Sequence, residues 1–309
     1  MKVITRDAFG PVTDWHVFVA AIDAGHTLPK AEVEDVFLGS PSNTLLSRAA
    51  RIEGIGFGVK SVTVLAENTQ RDLPSVQGGM IVFDERTGTP KALIESALIT
   101  DIKTAADSAL GARYLARPDA RHMVVLGAGS VASNVIAAFD QVFPSLETFT
   151  LWNRTHAKAE ALAETLRGKG LPVSATSYLA EAVAMADIVT CATMSTDPVL
   201  QGSLLRPGTH VDLIGAYRAD MREADDDVLT RGDIYVDSRD TTIGHIGELK
   251  IPLATGLISE TDILADLYQL KAEGPGLRSP DTITVFKNGG GAHLDLMIAN
   301  AILQLEESQ

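Results

Sequence analysis

Cysteine is nearly absent. Cys191 is the single one in 309 residues, which excludes an intrachain disulfide and a thiolate metal cluster. Its setting, IVTCATM, reads as a buried strand, so packing rather than nucleophilic chemistry is expected of it. Aromatic residues make up only 5% of the chain, but hydrophobic residues reach 45%, enough for ordinary cores at a length that suits two domains. Positive charge is also scarce: 26 Lys and Arg face 40 Asp and Glu, a formal net charge of −14. That balance opposes broad attraction to phosphate backbones and anionic lipid, so nucleic acid and membrane surfaces are poor partners. No apolar run approaches the roughly 20 residues that cross a bilayer, and the opening MKVITRDAFGPVTDW lacks the basic-then-apolar order of a secretory signal. A cytoplasmic protein is expected. No HExxH or other recognisable metal-ligand spacing occurs, so no metal is expected.

What is present divides by rhythm. Up to about residue 118, short strand-like runs mix with helices. GIGFGVKSVTVLA and GGMIVFDERTGTPKALIES alternate apolar and polar residues, with DERTG as a hairpin turn. TDIKTAADSALGARYLA, from Thr100, has helical spacing until Arg117-Pro118, and is the expected bridge between domains. Strand and helix then alternate through HMVVLGAG, TFTLWNR, PVSATS, DIVTCAT, HVDLIGA and DIYVDS, the pattern of a parallel sheet covered on both faces. The fold class expected is α/β: a Rossmann-type doubly wound domain over 119–292, with a discontinuous α+β domain built from 1–118 and 293–309, to which the resemblance described below assigns substrate binding and dimerisation.

The run from Leu126 through Gly127, Ala128, Gly129, Ser130 and Val131 to Ala132 follows an apolar strand and opens a helix. That is the context in which GxGxxA serves as a dinucleotide fingerprint. Gly127 permits the tight turn, Gly129 lets backbone approach a pyrophosphate, and the helix N-terminus offers unpaired N–H groups. The next strand ends at Asn153, Arg154 and Thr155, with no acid to take a ribose 2′-hydroxyl. Arg154 suits a 2′-phosphate through its paired donors, which favours NADPH while leaving NADH open; a solvated loop arginine is the plainer alternative. Thr193, Met194 and Ser195, and Gly215 with Ala216, fall at C-terminal strand ends and are expected to wall a nicotinamide pocket.

With these segments in place the sequence resembles the ornithine cyclodeaminase and mu-crystallin family over nearly its whole length. The resemblance is carried by GVKSVTVLAEN, PSVQGGMIVFDERTGTPKALIE, LITDIKTAADSALGARYLA, VVLGAGSVA, WNRTHAKAE, DIVTCAT, LIGAYRADMREAD, IYVDSRD, the GE at 247 to 248, and ITVFKNGGGAHLD. It implies a nicotinamide cofactor used to reduce imino acids, to dehydrogenate amino acids, or to cyclise ornithine with loss of ammonia, and it implies a homodimer built on the first domain. Lys60 falls on the family's active-site lysine. Lys103 falls where many members carry a carboxylate-gripping arginine; the charge stays but the bidentate fork is lost. Tyr217 stands where cyclodeaminases carry an aspartate, and Asp220 comes three residues later, which ranks imine reduction above cyclodeamination. A cofactor-binding protein without catalysis, like the crystallins, is the non-enzymatic alternative.

Reducing a C=N bond needs a hydride, a proton for nitrogen, and an anchor for the α-carboxylate. Lys103, with Arg48 as an added cation or else a solvated loop arginine, would take the carboxylate. Lys60 would hold the substrate or relay the proton, since a desolvated lysine beside another cation can titrate near neutrality; a solvent-facing strand lysine is the alternative. Asp295 would close the pocket near Lys60 or serve only as an acid complementing its helix dipole. Lys287 and Asn288 are candidates for the nicotinamide or its ribose, and His293 is read as incidental. This chemistry expects the nucleotide held at Gly127 to meet Lys60 across a crevice between two domains.

Overall fold

The computed structural model describes residues 1–40, 43–276 and 278–307. Two compact units emerge, one from residues 1–103 with 291–309, the other from 104–290. The division falls inside the helix Ser96–Leu115, whereas the pattern boundary at 118 lies beyond that helix's end.

The first unit is built on six strands: β1 (Lys2–Ile4), β2 (Glu32–Ser40), β3 (Asn43–Ile52), β4 (Gly56–Leu65), β5 (Val76–Phe83) and β6 (Pro90–Glu95), in the order β1-β6-β5-β4-β3-β2. All neighbours are antiparallel except β1 and β6. The β5–β6 connection is the expected hairpin. Asp84 organises it by accepting hydrogen bonds from the Arg86 and Thr87 N–H groups and the Thr87 hydroxyl, an Asx-type turn that holds the backbone locally. Along β4, Gly58, Lys60 and Val62 are buried while Phe57 and Thr63 are exposed, the period of two that turns one face inward. The C-terminal helix Ala292–Glu307 lies over β3 and β4, and its residues from Ala292 to Ala299 are all buried. A helix with so little solvent-facing surface is stabilised by packing on all sides. Its fit is close: a Cβ on Gly25 would crowd Met297, and one on Gly58 would come within 3.0 Å of Leu296.

The second unit carries eight parallel strands: β7 (His122–Leu126), β8 (Thr148–Trp152), β9 (Val173–Thr176), β10 (Ile188–Cys191), β11 (His210–Leu213), β12 (Asp233–Val236), β13 (Ile263–Ala265) and β14 (Thr284–Lys287). Their order is β13-β12-β14-β11-β10-β7-β8-β9. Chain order runs outward from β7 to β9 on one side and restarts at β10 on the other, so β7 and β10 flank a topological switch point. Open α/β sheets bind ligands beyond the carboxyl ends of such strands. β7 and β10 are buried almost throughout, as a sheet covered on both faces requires. The helix Ser130–Val142 turns Ala132, Val135, Ile136 and Phe139 inward, and Phe139 stacks on Phe143 with ring centroids 5.3 Å apart. Cys191 is buried within β10, and burial pushes its thiol well above the ordinary value, which makes it unreactive. Among the described residues no helix is long and apolar enough to cross a membrane, and no group of three or more His, Cys, Asp and Glu side chains could hold a metal ion.

Candidate active site

In the first unit, strand pairing lines up Asp35, Arg48, Lys60 and Met80 across β2 to β5. Arg48 is thus a strand residue rather than a loop one. Its guanidinium holds Asp35 with both carboxylate oxygens engaged, Nε at 3.1 and 3.0 Å and Nη2 at 2.9 Å. Lys60 faces inward at 5% exposure, not toward solvent. Its Nζ donates to Asp295 Oδ1 at 2.7 Å and to the Thr100 hydroxyl at 3.4 Å. Lys103 Nζ stands 3.4 Å from the same Asp295 oxygen. Asp295, in the first turn of its helix, is wholly buried, and its Oδ2 accepts no hydrogen bond among the described residues.

Three buried ions are costly. Each loses several kcal/mol of hydration, against a total stability of about 5–15 kcal/mol for a folded domain. A core built only for stability would place hydrocarbon here. The two ammonium groups against one carboxylate leave the cluster net positive, with an unused acceptor at Asp295 Oδ2. Burial pulls Lys60 down to about 8; Asp295 opposes the shift, while Lys103 and Arg48 reinforce it. Burial would raise Asp295, but Lys103, Lys60 and Arg48 overcome it and hold the carboxyl well below its usual range. The arrangement suits an incoming carboxylate and a proton exchanged near neutral pH. His293 is buried edge-on to His26, with ring centroids 5.9 Å apart, and burial holds it well below its ordinary value; it is neutral and carries no proton charge here.

In the second unit, Gly127 has φ of +120°, and a Cβ on it would overlap the Ala192 carbonyl at the end of β10. Only glycine allows the two strand ends to approach so closely. Gly129 differs: a Cβ there would meet open space, and it caps the helix Ser130–Val142 without any side-chain hydrogen bond. That uncapped N-terminus, with Ala128, Ser130 and Val131 around it, is a fitting cradle for a phosphate group. Arg154 and Thr155 are exposed after β8, and the Asn153 amide donates to the Thr155 carbonyl at 2.9 Å. Met194 is 76% exposed.

Lys287 is placed otherwise than the sequence suggested. It is fully enclosed, and its Nζ donates to the carbonyls of Leu213 and Asn288 at 2.8 Å and of Ile214 at 3.4 Å. A side chain so occupied serves the scaffold rather than a ligand. Asn288 likewise turns inward, its amide donating to the Thr104 carbonyl and the Ser108 hydroxyl, both at 3.0 Å. Sequence reasoning gave no role to Glu223 and Glu248. Both are buried at 0% exposure, and Glu223 takes donors from the Thr193 and Gly215 segments. No periodicity marks them; both lie in irregular stretches or at a helix start, where acids ordinarily face water.

The doubly wound parallel sheet with a glycine turn at its switch point, together with a first unit that buries a lysine–aspartate cluster, defines the two-domain Rossmann-type dehydrogenase class. The profile of the ornithine cyclodeaminase/mu-crystallin family matches residues 49–308, and the chain belongs to that family. It is 52% identical to Δ1-pyrroline-2-carboxylate reductase of Paracoccus denitrificans over 300 residues, 97% of this chain and 95% of that protein. It is 33% identical to rat ketimine reductase mu-crystallin over 243 residues, 79% and 74% of the two chains. Among solved structures, that of Thermococcus litoralis Δ1-pyrroline-2-carboxylate reductase, in complex with NADH and L-proline, matches with a TM-score of 0.92 at 28% identity, covering 100% of this chain and 98% of the other.

Proposed function

We propose that the chain reduces the C=N bond of a small cyclic α-imino acid of the pyrroline-2-carboxylate type to the amino acid, using a nicotinamide dinucleotide. The carrying observation is the buried, net positive cluster of Lys60, Lys103 and Asp295. It asks for one more anion, and it holds a lysine whose pKa has been lowered toward neutrality. Similarity to a pyrroline-2-carboxylate reductase at 52% identity supports the choice of substrate.

Gly127, Ala128, Gly129, Ser130 and Val131 hold the pyrophosphate through backbone N–H groups. Asn153, Arg154 and Thr155 take the adenosine ribose, and Thr193, Met194 and Gly215 wall the nicotinamide. The bound reduced nicotinamide supplies the hydride. Lys103 anchors the substrate carboxylate as a point charge. Lys60 delivers the proton that nitrogen gains as the imine carbon is reduced, and then recovers a proton from water. Asp295 keeps the Lys60 ammonium in place and presents Oδ2 to a nitrogen-bound hydrogen. Arg48, already clasped by Asp35, acts on Lys60 and the substrate by charge. NADPH is the preferred cofactor in this reading, because the strand end at Arg154 supplies a guanidinium and no acid.

A cytoplasmic homodimer completes the proposal. β2 is paired on one side only and exposes Val36, Phe37 and Leu38, with Phe37 at 66%, the kind of edge a second copy would cover. Purified protein mixed with Δ1-pyrroline-2-carboxylate or its six-membered homologue should consume reduced nicotinamide. No consumption across both imines and both cofactors would sink the reading. Proline and ammonia released from ornithine, with no net change in the cofactor, would move the chain to the cyclodeaminases.

A further inference from the structure

Glu223 follows Arg222 in an irregular stretch, yet its carboxylate is wholly buried. Oε1 accepts from the Thr193 N–H and the Thr193 hydroxyl, both at 2.7 Å. Oε2 accepts from the Gly215 N–H, and from the Ala216 N–H at 3.3 Å. One side chain thereby joins the segments that follow β10 and β11. These segments also touch directly: a Cβ on Gly215 would overlap the Thr193 carbonyl, so no side chain of residue 215 separates them. Three of the four partners are backbone N–H groups that can only donate, so an amide NH2 or an acid O–H turned toward them would meet hydrogen with hydrogen. Burial raises the carboxyl's pKa, and Lys287 with these donors opposes the rise and favours the ionised form.

The charge is answered by Lys287, which grips the same stretch of backbone from its other polar groups. Lys287 Nζ takes the carbonyls of Leu213 and Ile214, while Glu223 takes the N–H groups of Gly215 and Ala216. Glu223 is itself held from behind: its own N–H donates to Glu248 Oε2 at 2.7 Å, and the Ala224 N–H donates to Oε1 at 3.1 Å. Glu248 stands in the first turn of the helix Gly247–Thr255, where a carboxylate is favoured by the helix dipole. An opposed pair of buried charges with every hydrogen-bonding site used is stiff, because any displacement leaves an unpaired ion away from water.

We propose that Glu223, with Lys287 as its counter-charge, is a positioning residue that sets the nicotinamide end of the dinucleotide site by fixing the Thr193 and Gly215 segments, and has no part in holding the adenosine end. The inference rests on the reading that a dinucleotide lies on the Gly127 turn with its nicotinamide beyond β10 and β11. It separates two halves of one ligand. Residues around Gly129 and Arg154 meet the adenosine and pyrophosphate, and Glu223 governs only what lies past them.

The test compares the whole cofactor with a fragment lacking the nicotinamide. Wild-type protein and Glu223→Gln, which keeps the volume but replaces one acceptor oxygen with a donor group and removes the charge, are titrated with NADH and with ADP-ribose; NADPH and 2′-phospho-ADP-ribose are used if that pair binds more tightly. Glu223→Gln should weaken the dinucleotide by about tenfold or more, the scale of hydrogen bonds to a charged group, and leave the fragment within about threefold. It should also lower kcat while KM for the imine changes little. Equal weakening of both ligands, or no weakening of either, overturns the proposal. If Glu223→Gln does not fold, Thr193→Val removes one bond to the carboxylate, with a long one from the Ser195 N–H, and should show the same selectivity on a smaller scale; its absence there is equally decisive. A wild-type protein that binds neither ligand refutes the dinucleotide reading itself, and the proposal with it.

Discussion

Lys60 Nζ lies 2.7 Å from Asp295 Oδ1, although 235 positions separate the two residues in sequence. The pair joins β4 to the first turn of the C-terminal helix and sets the charge that a substrate would meet. Because Lys103 shares the same carboxylate oxygen, neither lysine is neutralised alone, and the properties of each depend on the other two.

Removing either ammonium should therefore act differently on the kinetics. Lys60→Ala removes the proposed proton donor and is expected to lower kcat by about a hundredfold or more. Lys103→Ala removes the proposed carboxylate anchor and is expected to raise KM for the imino acid by about ten- to a hundredfold, the scale of a hydrogen bond to a charged group. Steady-state kinetics on both variants, with circular dichroism to confirm folding, checks the division. A Lys103→Ala enzyme with unchanged KM would remove Lys103 from substrate binding.

The pH dependence follows from Lys60, which burial lowers to about 8 against an ordinary value of 10.5. Imine reduction consumes a proton, so its rate should fall as pH rises through about 8, and the reverse oxidation should rise over the same range. The sign for stability is opposite in kind. Between about 8 and 10.5 the unfolded chain holds a proton that folded Lys60 has released, so this group's contribution to stability grows with pH there, and below 8 the folded state bears the cost of the buried charge. Arg48→Met removes a charge that lowers Lys60, and should move the falling limb to higher pH; Asp295→Asn removes one that raises it, and should move the limb lower. Rate profiles of the two variants that shift in the same direction would contradict the assignment.

The two glycines of the turn after β7, proposed to hold the phosphates, should respond in contrasting ways. Gly127→Ala places a side chain at φ of +120° and against the Ala192 carbonyl, so a loss of stability of about 1–3 kcal/mol in chemical denaturation is expected from strain alone. Gly129→Val puts its Cβ in open space and should cost no more than about 1 kcal/mol, the scale of a poor N-cap residue. It should still weaken the cofactor severalfold by standing where the phosphates approach. Denaturation curves and cofactor titrations of both variants test the pair.

Arg154→Ala should reduce the affinity for NADPH by about tenfold and leave NADH nearly unchanged, because only the first carries the 2′-phosphate that a guanidinium would meet. Parallel titrations decide it. Equal effects on the two cofactors would return Arg154 to the role of a solvated surface residue.

Much of this architecture was legible in the residues themselves. The buried runs HMVVL, DIVTC and HVDL separated by helices with inward stripes announce a parallel sheet, because burial on both faces leaves no room for alternation. The LGAGSVA turn announces its ligand-facing end, since only glycine adopts the conformation at Gly127. Lys60 was legible too, as a charge inside an apolar strand. Arg48 was not, because a short run such as LLSRAAR has no period long enough to separate strand from loop. Lys287 was assigned to the cofactor on its place at a strand end, and its amine is instead wholly engaged with backbone carbonyls.

Local chain chemistry alone determined the elements, the inward faces, the glycine turn and the identity of the ionisable groups, because each depends on neighbours a few residues away. Tertiary structure alone decided which charges meet: that Asp35 occupies Arg48, that Lys60 and Lys103 share Asp295, and that Glu223 and Lys287 grasp one stretch of backbone. Those pairings set the sign and the proton affinity of each site. They could not be read from sequence, because electrostatic strength depends on distance and burial between groups the chain brings together only by folding.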